Sequence, residues 1–168
     1  MLTLAALPLL LAGCGWTPLN ANSETGPASE ELRAIKVEPI ADRIGQRLAL
    51  ALRDALNPGG ERTPPRYDLR TTLAIGRADL GVASEGLATR GKLDVFASFT
   101  LVDLKDGHIL LNSTVHSANA FDIPPNEYAA LVAEDDARTR TVAEVRQELL
   151  ARLTLFMQRR AAGATGPG

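Results

Sequence analysis

The sequence has one cysteine, no excess of either charge and few aromatic residues, and each shortage excludes a class of function. The single thiol, Cys14, excludes an internal disulfide and a cysteine-based zinc site. The 18 basic and 20 acidic residues give a net charge of −2, which argues against a general nucleic-acid binder. Aromatic residues make up 4% of the chain, which disfavours binding by stacking on bases or sugars.

Catalytic signatures are also missing. The sequence has no HExxH, GxSxG, P-loop or dinucleotide-binding glycine pattern. Its two histidines, His108 and His116, lie near opposite ends of one predicted strand, so they cannot chelate one metal ion from that strand. Ser117 beside His116 is no catalytic pair, because adjacent strand residues face opposite sides of a sheet. We therefore predict a protein that is not an enzyme and that has no metal and no cofactor.

A short apolar run precedes the cysteine. Residues 1–13 are rich in leucine and alanine and end in Ala12 and Gly13, which is typical of a secretory signal peptide and its cleavage site. The run is too short to span a bilayer, which needs about 20 apolar residues. The segment from Leu11 to Cys14 resembles the lipobox of bacterial lipoproteins. This resemblance implies that a diacylglycerol group alkylates Cys14, that the leader is removed, and that the new amine is acylated.

The lipobox also predicts where the protein is located. Two or more acyl chains anchor a protein stably, so we expect a membrane-tethered domain. Gly15 follows the cysteine in place of the Asp that resembles an inner-membrane retention signal, which favours the periplasmic face of the outer membrane. No Lys or Arg precedes Cys14, although signal peptides normally open with one, so we expect the true start codon to lie upstream of Met1.

Composition and periodicity predict four regions. Residues 17–31, TPLNANSETGPASEE, are small and polar without periodicity, which is typical of a flexible linker. The last residues, AAGATGPG, are predicted to be disordered. The regions are a signal peptide (1–13), a lipidated anchor and linker (14–31), one α+β domain (32–160) and a disordered tail (161–168).

The domain is predicted to have the order β-α-β-β-β-α. RAIKVEPI alternates as a short strand, and apolar residues at helical spacing then predict a helix from Ala41 to Asn57. Two long strands follow, with apolar residues such as Tyr67, Leu69, Leu93 and Val95 on one face. They are joined by the loose connection LGVASEGLATRG.

The end of the domain is predicted to be a hairpin followed by a long helix. Asp106 and Gly107 predict a tight type I′ turn, with the returning strand running from His108 to Phe121. Asn126 is predicted to cap the N-terminus of a helix that continues to Arg160. The apolar stripe of this helix is predicted to contain Leu131, Val142, Val145, Leu149, Leu153 and Phe156.

These elements predict an α+β fold, with a four-stranded, mainly antiparallel sheet and two helices packed on one face. Each helix has one apolar stripe and the strands share one apolar face, so the helices must cover the same side of the sheet. The other face is then open. It is solvated, or it docks against a partner. Its residues are Arg70, Thr72, Lys92, Asp94, Phe96, Ser98, Thr100, Thr114 and His116.

Basic residues flank the connection between the second and third strands. Arg77, Arg90 and Lys92 are predicted to form a cluster at that end of the sheet, able to contact the phosphates of an anionic lipid. The alternative is that they are ordinary strand-end charges, which discourage aggregation between sheet edges.

Four segments of the chain resemble the LptE family of lipopolysaccharide-assembly lipoproteins, in its alphaproteobacterial branch. They are LAGCGWTPL, VEPIADRIGQRLALALRDALNP, PRYDL and AEDDARTRTVAEVRQELLARL. The resemblance implies a two-helix, four-stranded domain that plugs the outer-membrane barrel LptD and with it moves lipopolysaccharide to the outer leaflet. Of the family's residues only Cys14 carries over to this sequence. The assignment of Arg77, Arg90 and Lys92 as lipopolysaccharide contacts is our own interpretation.

Two other functions are compatible with an anchored domain. An auxiliary lipoprotein of an ABC-type phospholipid transport system has a lipobox and can have a similar α+β domain. A lipid-anchored hydrolase is disfavoured, because the sequence offers no nucleophile and base at a suitable spacing.

Overall fold

The computed structural model describes residues 27–60, 63–82 and 88–164. The elements are α1 (Pro27–Arg33), β1 (Ile35–Val37), α2 (Asp42–Leu56), β2 (Tyr67–Val82), β3 (Ala88–Asp103), β4 (Ile109–Asp122) and α3 (Glu127–Ala164). The four strands form one sheet in the order β1-β2-β3-β4. β1 is parallel to β2, and the other two pairs are antiparallel. The predicted α+β fold with a mainly antiparallel sheet is confirmed.

The core lies between the helices and one face of the sheet. Every second residue of β3 is buried there, from Leu93 through Phe99 to Leu101. These side chains belong to the same apolar cluster as Leu52 of α2 and Leu149 of α3. Because strand residues alternate between faces, the side chains between them on β3 lie on the uncovered face. None of the described helices is long and apolar enough to cross a membrane.

The folded part of the chain begins earlier than predicted. The sequence predicts a flexible linker as far as Glu31, whereas Pro27–Arg33 form α1. Contacts with β2 hold this short helix, since the Tyr67 hydroxyl donates to the Glu31 carboxylate at 2.6 Å and Arg66 pairs with the same side chain at 2.9 Å. Its small, polar composition gives no helical periodicity, which is why the linker prediction is wrong for these residues.

The long helix α3 begins as predicted and ends later. The backbone N–H of Ala129 donates to the Asn126 side-chain oxygen at 3.0 Å, so Asn126 caps the helix. The helix continues to Ala164, past the predicted end at Arg160. Of the predicted disordered tail, residues 165–168 lie outside the described part of the chain.

The apolar stripe of α3 is predicted correctly along most of its length. Val145, Leu149 and Leu153 are buried in the core. The prediction for Leu131 is wrong, since its side chain is 60% exposed. Helical periodicity identifies which face is apolar, but it does not show how far along the helix the core extends.

The predicted type I′ turn between β3 and β4 is also wrong. The N–H of Asp103 donates to the carbonyl of His108 at 2.9 Å, which leaves four residues, 104–107, in the loop. Of these four, Gly107 alone has a positive φ, at 75°, whereas a type I′ turn needs two such residues. The ladder also has a register shift between Leu101 and Val102.

The connection between β2 and β3 is shorter than the predicted loose connection. It consists of residues 83–87, which lie outside the described residues.

Candidate interaction surfaces of the sheet

The three candidate basic residues lie on two different faces of the sheet. Arg90 and Lys92 alternate along β3 with the buried Leu93 and therefore lie on the open face. Arg77 is paired with Leu93 in the β2–β3 register, and directly opposite residues share a face. The structure thus places Arg90 and Lys92 side by side, with Arg77 on the helix-covered side.

Each of these cations already has an acidic partner. Arg77 pairs with Asp79 at 3.2 Å and lies 3.7 Å from Glu134 of α3. On the open face, Arg90 pairs with Asp122 at 3.4 Å and Lys92 with Asp94 at 3.0 Å. Exposed ion pairs of this kind contribute only about 0–1 kcal/mol, so a phosphate can displace the acid at small cost.

The open face also holds a stacked aromatic pair. The rings of Phe96 on β3 and His116 on β4 stack with their centroids 4.2 Å apart and 15° between their planes. His116 Nε2 lies 3.0 Å from the Asp94 carboxylate, which also accepts the bond from Lys92. The hydrogen bond from Lys92, followed by the one from His116, holds the pKa of Asp94 below its usual value. We call Lys92, Asp94, Phe96 and His116 together the platform.

Small residues border the platform on both sides. On β2, Ala74 lies opposite Phe96 and Gly76 lies opposite Asp94. On β4, Ala118 is the residue opposite Asp94. The sequence places Asp94, Phe96 and His116 on the open face, but it does not reveal the stack, which depends on the register between β3 and β4. The open face therefore carries an aromatic pair bordered by small residues, with Phe96 44% exposed.

A polar network connects β4 to α3 on the opposite side of the sheet. The Ser117 hydroxyl donates to the Glu144 carboxylate, and the Asn119 amide donates to the same carboxylate at 2.9 Å. The amide also donates to the Thr141 hydroxyl at 3.1 Å. The bonds from Ser117 and then Asn119 lower the pKa of Glu144. This network fixes the position of the helix along the strand.

We expect this network to make stability depend on pH. A carboxyl whose pKa is lowered by folding stabilises the native state above its unfolded pKa, and that contribution is lost as the pH falls through the folded pKa. Glu144→Gln should therefore reduce the loss of stability in acid, measured as urea midpoints at pH 7 and below pH 4. Ser117→Ala, which removes the largest cause of the shift, should act in the same direction. An acid dependence unchanged in both variants would contradict the role of the network.

Three other features were candidate sites: a metal cluster, a surface groove and the predicted lipid-attachment residue. Among the described residues, no group of three or more His, Cys, Asp or Glu side chains is placed to hold a metal ion. A shallow groove of about 360 Å³ lies against the first turns of α3, between apolar Leu131 and Val132 and acidic Asp135 and Asp136. The predicted lipid-attachment residue, Cys14, lies outside the described residues.

Comparison with known proteins identifies both a family and a fold. The family model described as LptE, lipopolysaccharide-assembly, matches residues 32–153, from before β1 into α3. The crystal structure of a Caulobacter crescentus lipoprotein is similar with a TM-score of 0.64 and 23% identity, covering 79% of this chain and 98% of that one. A minor lipoprotein from Acinetobacter baumannii matches with a TM-score of 0.53 and 14% identity, over 72% of this chain and 88% of that one. No curated protein matches the sequence.

Proposed function

Since the chain belongs to the LptE family of lipopolysaccharide assembly, we propose that it is an outer-membrane lipoprotein that pairs with the barrel LptD and plugs its lumen. In that position it serves the export of lipopolysaccharide to the outer leaflet. The observation that carries this proposal is the family match across all four strands, α2 and much of α3. The domain also leaves one sheet face uncovered, which is available for docking against a partner.

The proposal includes an acyl anchor at Cys14. The anchor would precede α1 by thirteen residues, from Cys14 to Pro27. An extended chain spans at most about 3.3–3.6 Å per residue, so a segment of this length could span at most about 45 Å. That distance exceeds the thickness of a hydrocarbon core, about 30 Å, and lets an anchored domain reach the lumen of a barrel in the same membrane.

The partnership is tested by affinity isolation of the full chain from detergent-solubilised outer membranes, with mass spectrometry of the proteins that accompany it. We expect a large outer-membrane barrel in near-stoichiometric amount. Recovery of the chain alone, as a free monomer, would reject the barrel partnership. Recovery of transporter subunits without a barrel would favour the auxiliary lipoprotein of a phospholipid transport system.

We further propose that Arg90 and Lys92, which lie on the same open face, contact the phosphates of lipopolysaccharide. Reversing both to Glu should weaken lipopolysaccharide binding by about tenfold, because charge-assisted bonds to phosphate are replaced by repulsion. Binding is measured by titration of the purified chain with labelled lipopolysaccharide.

The matched control for this prediction reverses two exposed cations elsewhere, Arg43 and Lys105. Both variants change the net charge equally, so nonspecific attraction falls equally in both. Equal losses in the two variants would show that the strand-end charges have no specific role. A third variant, Arg77→Glu alone, should weaken binding no more than reversal of one control cation, because Arg77 lies on the helix-covered face.

A further inference from the structure

The outer edges of the sheet differ in how their backbone is covered. On β1, the Arg53 guanidinium donates to the Val37 carbonyl at 2.9 Å. On β4, Arg152 donates to the Thr114 carbonyl at 2.8 Å and Arg140 to the Ala120 carbonyl at 3.4 Å. Side chains that occupy the outward backbone groups hinder another strand from pairing there. Arginines from α2 and α3 therefore protect both of these edges.

Most of β2 forms a third edge without this protection. β1 pairs with only three residues of β2, and the last bond runs from the Glu38 N–H to the Leu69 carbonyl at 3.0 Å. Since backbone groups alternate along a strand, every second residue from Thr71 to Asp79 also points its N–H and C=O outward. Within residues 27–60, 63–82 and 88–164, no hydrogen bond is made to these outward groups. β2 keeps an unbroken antiparallel register with β3 over this stretch, so the free edge is regular.

The side chains of this free edge complement a second copy of themselves. In an antiparallel β2–β2 pair centred on Ala78, Arg77 of each copy lies opposite Asp79 of the other, which gives two ion pairs. Two exposed apolar side chains of β2, Ile75 (41% exposed) and Leu80 (43%), then lie opposite Gly81 and Gly76 of the other copy. Around the axis, charge therefore meets opposite charge, and each bulky apolar side chain meets a glycine.

We propose that β2 is a self-association edge, and that two copies of this chain join their sheets by antiparallel pairing of β2 with β2 about a two-fold axis at Ala78. Two alternative registers of the β2–β2 pair, shifted by one residue at the axis, also keep the outward backbone groups opposite each other. They are centred on Arg77 or on Asp79. Each of these would place a charged residue opposite its own copy, which is destabilising. Such a dimer is isologous and closes, so it does not extend into a fibre. The proposal does not depend on the barrel partnership.

Cysteine cross-linking of the full chain in detergent tests this geometry. Ala78 lies on the two-fold axis as a non-hydrogen-bonded pair, where Cα atoms are about 4.5 Å apart, within disulfide range. The matched control is Ala74→Cys, on the same strand and face. Position 74 lies opposite position 82 of the other copy, so two cysteines at 74 would be about 26 Å apart. Peptide mass spectrometry of the oxidised chain identifies each disulfide and separates it from any that involves Cys14.

We expect Ala78→Cys to give at least about fivefold more of the like-to-like disulfide than Ala74→Cys. Adding Asp79→Arg to Ala78→Cys replaces each intermolecular ion pair with two opposed arginines. This change should lower the yield of the disulfide by about fivefold. Equal yields at positions 78 and 74, or a yield insensitive to Asp79→Arg, would overturn the proposal. Circular dichroism of each variant verifies that the fold is retained. Light scattering of the unmodified chain should give an average mass that rises with concentration from that of a monomer towards that of a dimer.

Discussion

Replacing Phe99 with Ala is expected to lower the free energy of unfolding by about 3–5 kcal/mol. Phe99 lies in the middle of β3, is 1% exposed and is among the largest fully buried side chains of the core. Its removal leaves a cavity between the sheet and the helices that the rigid sheet cannot close. A single domain is stable by only about 5–15 kcal/mol, so this substitution removes about a fifth of the total or more.

The matched control for this prediction is Phe96→Ala, on the same strand and of the same residue type. Phe96 lies on the open face, is 44% exposed and contacts the His116 ring. We expect a cost of about 1 kcal/mol, chiefly from the lost stacking. Urea unfolding followed by circular dichroism measures both variants. Similar losses at positions 96 and 99 would contradict the assignment of the covered and open faces.

How far the fold could be predicted from the sequence is clearest at these two phenylalanines. Period-two alternation along β3 assigns Phe99 to the core and Phe96 to the open face, and the structure confirms both. The stack of Phe96 on His116 could not be predicted in the same way, because it requires the register between β3 and β4. A two-residue turn at Asp106 and Gly107 would pair Phe96 with Ser117 and invert the faces of β4. The longer loop and the register shift near Leu101 restore a pairing that keeps the apolar residues together.

The candidate basic site could have been predicted better from the sequence, because strand alternation already separates its residues. The positions of Arg77, Arg90 and Lys92 in the sequence, on either side of the β2–β3 connection, favour a single cluster. However, the alternation that places Leu73 and Ile75 on the core face also places Arg77 there. The ion pair of Arg77 with Glu134 of α3 agrees with that assignment. Face, rather than proximity along the hairpin, determines which of these cations can meet one ligand.

Segments that lack periodicity of their own could not be predicted, because neighbouring elements determine their structure. The helix α1 is one example, since its stability derives from contacts of Glu31 with Tyr67 and Arg66. The exposed start of α3 is another, because Leu131 has the correct helical spacing but no core beside it. In both cases tertiary contacts override the local pattern.

Replacing Cys14 with Ala is expected to release the chain from membranes almost completely. The thiol is the proposed site of diacylglycerol attachment, and each buried CH₂ of an acyl chain contributes about 0.8 kcal/mol to membrane binding. One chain holds a protein only reversibly, whereas two or more hold it stably, so loss of the whole anchor should reduce the membrane-bound fraction from nearly all to below about 10%. Incorporation of labelled palmitate should disappear in the same variant.

The measurement must separate the anchor from the proposed barrel, since docking in a barrel would also retain an unacylated chain in the membrane fraction. The chain is therefore expressed without LptD in a heterologous bacterial host, and membranes are fractionated after a high-salt wash. Ser23→Ala, in the same predicted linker but outside the lipobox, should behave as the unmodified chain does. Unchanged membrane retention and palmitate labelling of Cys14→Ala would reject the anchor. Membrane retention of Cys14→Ala that returned only when LptD was co-expressed would separate the two effects in one experiment. The acyl chains and the protein surface would then be shown to hold the domain independently.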